Sequence, residues 1–294
     1  MQQGKVIKAV GGFFTVRDQK GSEYLCRARG SLKKGKQTLI VGDEVIFNPH
    51  QEPSEESSGE GVIEKVLPRA NYFPRPPVAN VDQIVVVMSL KNPGCDWQMI
   101  SRMAVMAEKE NLPVLVCLNK TDLISREKLD QVYKDIEPYP YPVIFTSALS
   151  GDGTVNLKER LAGCCSALGG PSGVGKSTLL NCIQPGLSLQ TAEVSEKIGR
   201  GKHTTRQAAL LPLNNGGTVV DTPGFTRLDF KNLKPGQLAG CFPELEELRG
   251  RCGFRDCMHL NEPNCAVTEE LNKTLNPMRY EHYKFFMKEL SQRR

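Results

Sequence analysis

The sequence predicts a multidomain chain: an N-terminal β-barrel over 1–68, a linker over 69–80, a central α/β domain over 81–228, and a mostly α-helical C-terminal domain over 229–294. Three observations carry this. Up to Leu67 the pattern is short β-rich segments broken by glycine turns. From Val81 strand-like and helix-like stretches alternate. From about Leu228 helical patterning surrounds a cluster of cysteines and a histidine. At 294 residues there is room for two or three domains, since one commonly takes about 100–200 residues. Hydrophobic residues at 39% and charged residues at 24% are ordinary for a soluble globular protein.

In the first region "KVIKAVGGFFTVRD", "SEYLCRARG", "LIVGDEVIFN" and "GVIEKVLP" each read as a strand of about five residues. Short strands at this spacing suggest a small barrel. A five-stranded nucleic-acid-binding barrel suits the aromatics Phe13, Phe14 and Tyr24. It also suits the charge: residues 1–50 hold nine Lys/Arg against four Asp/Glu, which accounts for the chain's whole excess of +5. A polyanionic partner follows from that bias, the competing reading being a solvated lysine-rich face. The acidic, Ser/Gly-rich insert "HQEPSEESSGEG" (His50 to Gly61) reads as a mobile loop. "LPRANYFPRPPVANVD", with four prolines, reads as a linker.

In the second region "VDQIVVVMSL" reads as a buried strand, Asp96 to Asn111 as a helix, and "LPVLVCLNKTD" as a strand entering a loop. Helix "SREKLDQVYKDI", strand and loop "YPVIFTSALSGDG", helix "NLKERLAG", strand "CCSALGG", helix "KSTLLNCI" and strand "GTVVDTPG" follow. Such alternation predicts a parallel sheet covered by helices on both faces. The longest apolar run, "IVVVMSL", falls far short of the roughly 20 residues that span a bilayer, and the first residues lack the pattern of a signal peptide. No membrane and a cytoplasmic location are therefore expected. Ten cysteines in such a chain point to free thiols or metal ligands rather than disulfides. Cys117, Cys164, Cys165 and Cys182 read as packing residues.

Gly170-Pro171-Ser172-Gly173-Val174-Gly175-Lys176-Ser177 fits the phosphate-loop pattern, with Thr178 next. Glycines let backbone N–H groups turn toward phosphates, Lys176 reaches the terminal phosphates, and the Ser177 hydroxyl ligates Mg²⁺. The anion also sits at the start of a helix, where free N–H groups and the helix dipole favour it. Asp221-Thr-Pro-Gly224 follows 45 residues after Lys176; Asp221 can hold the Mg²⁺ shell and the Gly224 N–H can sense the γ-phosphate. Between them, Thr204 or Thr205 should complete the Mg²⁺ shell, and the sequence does not separate the two. Phe225 stands where many GTPases place a water-orienting glutamine. His203 is the nearest substitute, the alternative being that it contacts phosphate or RNA.

Asn119-Lys120-Thr121-Asp122 fits the guanine-reading pattern, in which a carboxylate accepts from two N–H groups that adenine lacks. Thr146-Ser147-Ala148, 27 residues beyond Asn119, resembles the loop that supports the base. "NKTL" at Asn272 imitates a base reader but has Leu275 in the aspartate position. The base reader therefore precedes the phosphate loop, the reverse of the usual order. Joining the ordinary ends and opening the chain after "DTPG" produces this order, and nearby termini make such permutation feasible. The central domain thus reads as a circularly permuted P-loop GTPase domain. Cys252-x4-Cys257-x-His259-x5-Cys265 offers three thiolates and an imidazole, which suits one structural, tetrahedral Zn²⁺ with no open position.

This combination, running NKTD, TSA, GGPSGVGKST, GRGKHTTR, DTPG and then C-x4-C-x-H-x5-C, resembles the circularly permuted GTPases of small ribosomal subunit biogenesis, the RsgA family, over nearly the whole chain. The resemblance implies an oligonucleotide-binding (OB) barrel, a permuted GTPase core and a zinc-containing helical domain. It implies GTP hydrolysis to GDP with Mg²⁺, stimulated by the small ribosomal subunit late in its maturation, and contact with its rRNA. It also implies that the histidine matching His203 serves hydrolysis. We expect a monomer. Competing readings are a zinc-containing RNA-binding protein whose nucleotide site is only structural, and an ATP-using P-loop enzyme.

Overall fold

A computed structural model describes residues 1–30, 32, 38–54, 57–74, 77–187, 209–221, 230, 233–271 and 273–292, save the side chains of Pro74 and Asp221. The chain forms two compact units: Met1–Gln83 with Lys158–Leu168 and Gln184–Arg227, and Ile84–Leu157 with Gly169–Ile183 and Leu228–Arg294.

In the first unit, β1 (Gln2–Val10), β2 (Phe13–Asp18), β3 (Glu23–Ala28), β4 (Glu44–Gln51) and β5 (Gly59–Val66) close into a barrel. The order is β1-β2-β3-β5-β4, with β4 returning to β1; only β3 and β5 run parallel. Four sequence segments thus supply five strands, because the Gly11–Gly12 pair, both at positive φ, turns the first segment back on itself. Alternate residues point inward, as a two-residue repeat requires, and Val6, Val16, Tyr24, Cys26, Val45, Phe47 and Ile63 form the core. Gly59 lets the rings fit: a Cβ there would lie 2.6 Å from Tyr24 Cδ1.

Three expectations change here. Tyr24 is buried, so it fills the barrel and cannot stack on a base, and its hydroxyl donates to Glu52 at 2.8 Å. The two ends of the insert after His50 are correspondingly held, with Gln51, Glu60 and Gly61 paired in the β4–β5 ladder and Gly59 paired with Tyr24 of β3. The linker contains a hairpin, β6 (Tyr72–Pro74) against β7 (Pro77–Ala79). Asn71 exchanges two hydrogen bonds with Val81, and Asn80 Nδ2 donates to the Gly42 carbonyl at 2.9 Å. Asp43, fully buried, accepts a bidentate ion pair from Arg69, at 2.6 and 2.9 Å. Neither pattern is visible as periodicity, because both rest on single side chains.

This unit also holds β11 (Cys165–Gly169), β12 (Ala209–Pro212) and β13 (Thr218–Asp221). β11 and β13 are parallel, but β12 is antiparallel to both β13 and β1, so the sheet is mixed rather than parallel throughout. The cause is the tight turn through Gly216, at φ +80°, which returns the chain at once instead of through a helix.

In the second unit β8 (Gln83–Ser89), β9 (Val114–Asn119) and β10 (Val143–Phe145) are parallel, in the order β10-β9-β8. Ile84 to Met88 are buried without alternation, as in a sheet covered on both faces. Helices α1 (Trp97–Lys109) and α2 (Arg126–Ile136) follow β8 and β9, each opened by a side-chain cap, Asp96 to Met99 N and Ser125 to Lys128 N. Helices α3 (Thr154–Leu161) and α4 (Lys176–Ile183) come next. Of the cysteines read as packing residues, Cys117 and Cys165 are buried, Cys164 is half-buried and Cys182 is exposed on α4.

The C-terminal region carries α5 (Pro243–Glu246), α6 (Ala266–Glu270) and α7 (Pro277–Gln292). Phe230, Phe242, Tyr283, Phe286 and Leu290 form its core, which includes Val105 of α1. Among the described residues, no helix is long and apolar enough to cross a membrane.

The Asp43–Arg69 pair sets the first test. Arg69→Met leaves a buried carboxylate unpaired, which costs about 3–5 kcal/mol, and thermal unfolding should show a drop of several degrees. Asp43→Asn combined with Arg69→Met should recover most of it. A single variant as stable as wild type would refute the role given to the pair.

Candidate functional site

Parallel strands place their carboxyl ends along one edge, where ligands of α/β sheets gather. The register aligns Ser89 with Asn119 and Phe145 with Leu118, so the segments after β8, β9 and β10 emerge side by side. The residues following them are Leu90–Asp96, Lys120–Asp122 and Thr146–Ala148.

Asn119, the last residue of β9, is buried. Its Nδ2 donates to the Val174 carbonyl at 2.8 Å. Its Oδ1 accepts from Thr146 Oγ1 at 3.1 Å and from the Ala148 N–H at 3.2 Å. One amide therefore ties base reader, base support and phosphate loop together. Gly175 makes this possible: at φ +95°, a Cβ there would lie 2.4 Å from Asn119 Nδ2. Lys120 adopts φ +64°, and its Nζ donates to the Gly173 carbonyl at 2.6 Å and to the Asn92 carbonyl. Ser147 Oγ donates to Asp122 Oδ1 at 2.6 Å, which orients the carboxylate and leaves lone pairs on both oxygens for a base.

The phosphate loop, Gly170 to Gly175, leads directly into α4. Gly170 is forced: a Cβ there would meet the Val87 carbonyl oxygen at 2.0 Å. Gly173 and Gly175 at φ +82° and +95° give the loop a curl that L-residues resist. Lys176 Nζ donates to the carbonyls of Gly170 and Pro171, at 2.6 and 2.9 Å, and burial holds its pKa below the ordinary lysine range. An anion brought to the start of α4 favours the charged ammonium again. Val174 is buried under the loop, Ser177 is half-buried, and Ser172 and Thr178 are exposed.

The structure thus brings together Asn119, Lys120, Asp122, Ser147, Ala148 and Gly170 to Thr178. Asp221 ends β13; its side chain, with His203, Thr204, Thr205 and Gly224, lies outside the described residues. Of the expected Mg²⁺ ligands, Ser177 is the one whose side chain is described, and its place on the first turn of α4 is compatible with that role. Sequence reasoning missed Asn92. Its only signal was an Asn-Pro turn dipeptide, which says nothing about a distant lysine.

Cys252, Cys257, His259 and Cys265 place one ligand atom each within 4.8 Å of one another. His259 Nδ1 lies 3.5 Å from both Cys252 Sγ and Cys265 Sγ. Tetrahedral Zn²⁺, with Zn–S near 2.3 Å and Zn–N near 2.0–2.1 Å, requires a sulfur–nitrogen edge of about 3.6 Å. The spacing fits that ion. The ligand loop is held from outside: Tyr280 and Tyr283 donate to the carbonyls of His259 and Met258, at 2.8 and 2.6 Å. The Glu262 carboxylate accepts from the N–H groups of Met258, Leu260 and Asn261. Burial pushes the Cys257 thiol up to about 12 and holds His259 low, so a thiolate at neutral pH needs a cation's charge.

Two family profiles match the chain, one described as the RsgA N-terminal domain over residues 3–63 and one as RsgA GTPase over residues 66–231. The chain is 42% identical to the small ribosomal subunit biogenesis GTPase RsgA of Moorella thermoacetica, covering 98% of this chain and 97% of the relative. It is 40% identical to the protein of the same name from Bacillus cytotoxicus, covering 100% and 99%. Among solved structures, YjeQ from Thermotoga maritima superposes with a TM-score of 0.86 at 38% identity, covering 100% of this chain and 99% of that one. YloQ, described as a circularly permuted GTPase, gives 0.83 at 33% identity, covering 100% and 96%.

Two outcomes follow from the geometry. Asn119→Ala removes the partner of three hydrogen bonds, two buried and one half-buried, at about 1 kcal/mol each, so affinity for a fluorescent guanine nucleotide should fall about a hundredfold; a loss under threefold would show that the clasp does not hold the site. Metal analysis of the purified wild type should find about one equivalent of zinc and Cys257→Ser should lose it; retention by the variant would remove Cys257 from the ligand set.

Proposed function

The chain belongs to the RsgA family of GTPases and is thus a GTP hydrolase of ribosome biogenesis, and we propose that it uses bound GTP to hold an immature small ribosomal subunit and hydrolysis to leave it. The observation that carries this is the Asn119 side chain, which joins the guanine reader to the phosphate loop in one site. In this reading Asp122 accepts from the two N–H groups of guanine, while Ser147 and Ala148 support the base from its other side. The N–H groups of Gly170 to Thr178 hold the phosphates, and Lys176 neutralises the terminal ones.

Ser177, Asp221 and Thr204 or Thr205 would hold Mg²⁺, which would supply positive charge against the phosphates. His203 orients the attacking water in place of the glutamine replaced by Phe225, and Gly224 senses the γ-phosphate. GDP and phosphate leave. The domain roles we assign are RNA binding for the OB barrel of 1–68, a linker at 69–80, GTP hydrolysis for 81–228 and zinc-dependent support for 229–294.

The barrel suits rRNA. Phe13 is partly exposed with the Arg27 guanidinium 4.6 Å above its ring, and Lys8 and Lys20 are exposed nearby in sequence. Basic and aromatic groups in that arrangement fit phosphates and unstacked bases. We take the protein to act in the cytoplasm as a monomer.

The test is phosphate release from GTP alone, with small subunits and with large subunits, for wild type and His203→Ala. Small subunits alone should accelerate wild type, and His203→Ala should lose about a hundredfold or more of the stimulated rate. Equal stimulation by large subunits, or an unaffected variant, would overturn the corresponding part of the proposal.

A further inference from the structure

The segment after β8, Leu90 to Asp96, carries no nucleotide-binding motif, yet it reaches two of them. The Asn92 carbonyl accepts from Lys120 Nζ, which also donates to the Gly173 carbonyl at 2.6 Å. A Cβ placed on Gly173 would lie 3.6 Å from Pro93 Cδ, so the segment runs against the middle of the phosphate loop. Both of its ends are fastened. Ser89, fully buried, donates from Oγ to the Pro93 carbonyl at 2.6 Å, and the Leu90 N–H donates to the Asn119 carbonyl at 3.0 Å. At the far end Asp96 caps α1, accepting from Met99 N at 2.9 Å. That helix is held in turn to α7, by Ser101 with His282 Nδ1 at 2.8 Å and by Arg102 with Glu289.

From this we infer that the Asn92–Pro93 turn is a third positioning element of the nucleotide site, acting through Lys120 to hold the phosphate loop beside the guanine reader. It rests on the guanine-nucleotide reading above. The working atom is a backbone oxygen, and only backbone conformation aims it. Asn92 has φ +52°, its side chain is exposed, and that side chain makes no hydrogen bond among the described residues. Asparagine is among the few residues besides glycine that enter this region at low cost, whereas β-branched residues resist it. The residue type is therefore explained by the direction its carbonyl must face. Lys120 keeps its second acceptor if the turn is lost, so the site should loosen rather than collapse. Asp122 should be unaffected, since Ser147 holds it independently.

The experiment compares wild type, Asn92→Val, Asn92→Gly and Ser89→Ala by equilibrium binding of fluorescent GDP, with competition by unlabelled GDP and IDP, and a thermal melt of each. IDP lacks the exocyclic amine that Asp122 reads, so the GDP-to-IDP ratio reports the base reader alone. Asn92→Val should bind GDP about tenfold more weakly, the scale of one charge-assisted hydrogen bond, with its GDP-to-IDP ratio unchanged. Asn92→Gly, which keeps the positive φ and the carbonyl, should bind like wild type. Ser89→Ala should shift in the same direction as Asn92→Val. Wild-type affinity in Asn92→Val would overturn the inference, as would Asn92→Gly binding as weakly as Asn92→Val. So would a GDP-to-IDP ratio that falls together with affinity, since the turn would then be merely propping up the fold. Wild type failing to bind GDP at all would instead defeat the guanine-site reading.

Discussion

The nucleotide site depends on one buried amide. Asn119 stands at the end of a strand with both polar atoms of its side chain in use, accepting from the base-support loop and donating to the phosphate loop. A buried amide left unpaired costs more than a hydrogen bond gains. The arrangement therefore tolerates little adjustment: each of the three loops must present its partner atom, or all lose theirs. Gly175 belongs to the same constraint, because any side chain there would enter the space occupied by Asn119 Nδ2. This bond is indifferent to chain order. The residues it joins lie 27 and 55 positions from Asn119, and nothing in their geometry depends on which is made first.

The C-terminal region combines an apolar core around Phe230, Phe242, Tyr283 and Phe286 with a cysteine/histidine knuckle beside it. The knuckle is short and loop-rich, and a metal held by Cys252, Cys257, His259 and Cys265 would supply cohesion there. Above it the Arg279 guanidinium is fully buried. It lies 4.4 Å from the Phe242 ring centroid and 5.4 Å from those of Tyr139 and Tyr141, and it is paired to Glu244. Burial alone would lower its pKa, and the Glu244 carboxylate more than offsets that, keeping the cation charged. Because Tyr139 and Tyr141 lie between α2 and β10, this cation fastens α7 to the segment that leads into Thr146–Ala148. The bond from Asn276 Nδ2 to the Asp135 carbonyl adds to the same seam.

Legibility differed by element for physical reasons. The glycine-rich loop, the NKTD segment and the Cys/His cluster were readable as motifs because their chemistry restricts residue types at fixed short spacing. Strands β8 and β9 and helices α1 and α2 were readable because burial and capping leave local patterns. The hairpin of the linker and the antiparallel β12 were missed, since proline-rich or short strands carry no periodic signal. Tyr24 was grouped with Phe13 and Phe14 as an aromatic suited to a nucleic-acid-binding barrel, but it is buried in the barrel core. An aromatic residue in a strand looks the same whether it faces in or out, and only the register against Val16 and Gly59 places it inside.

The amino-acid sequence by itself determined which chemistries are present and in what order, because a glycine-rich cradle, a carboxylate reader and a soft-ligand cluster are properties of nearby residues. Tertiary structure alone decided how they meet: that Asn119 spans three loops, that Asp43 needs Arg69, and that the carbonyl of Asn92 receives the Lys120 ammonium. Those contacts join atoms far apart along the chain, and the Asn92 contact uses a backbone oxygen that every residue type possesses. No local pattern encodes such a partner; only the closed fold selects it.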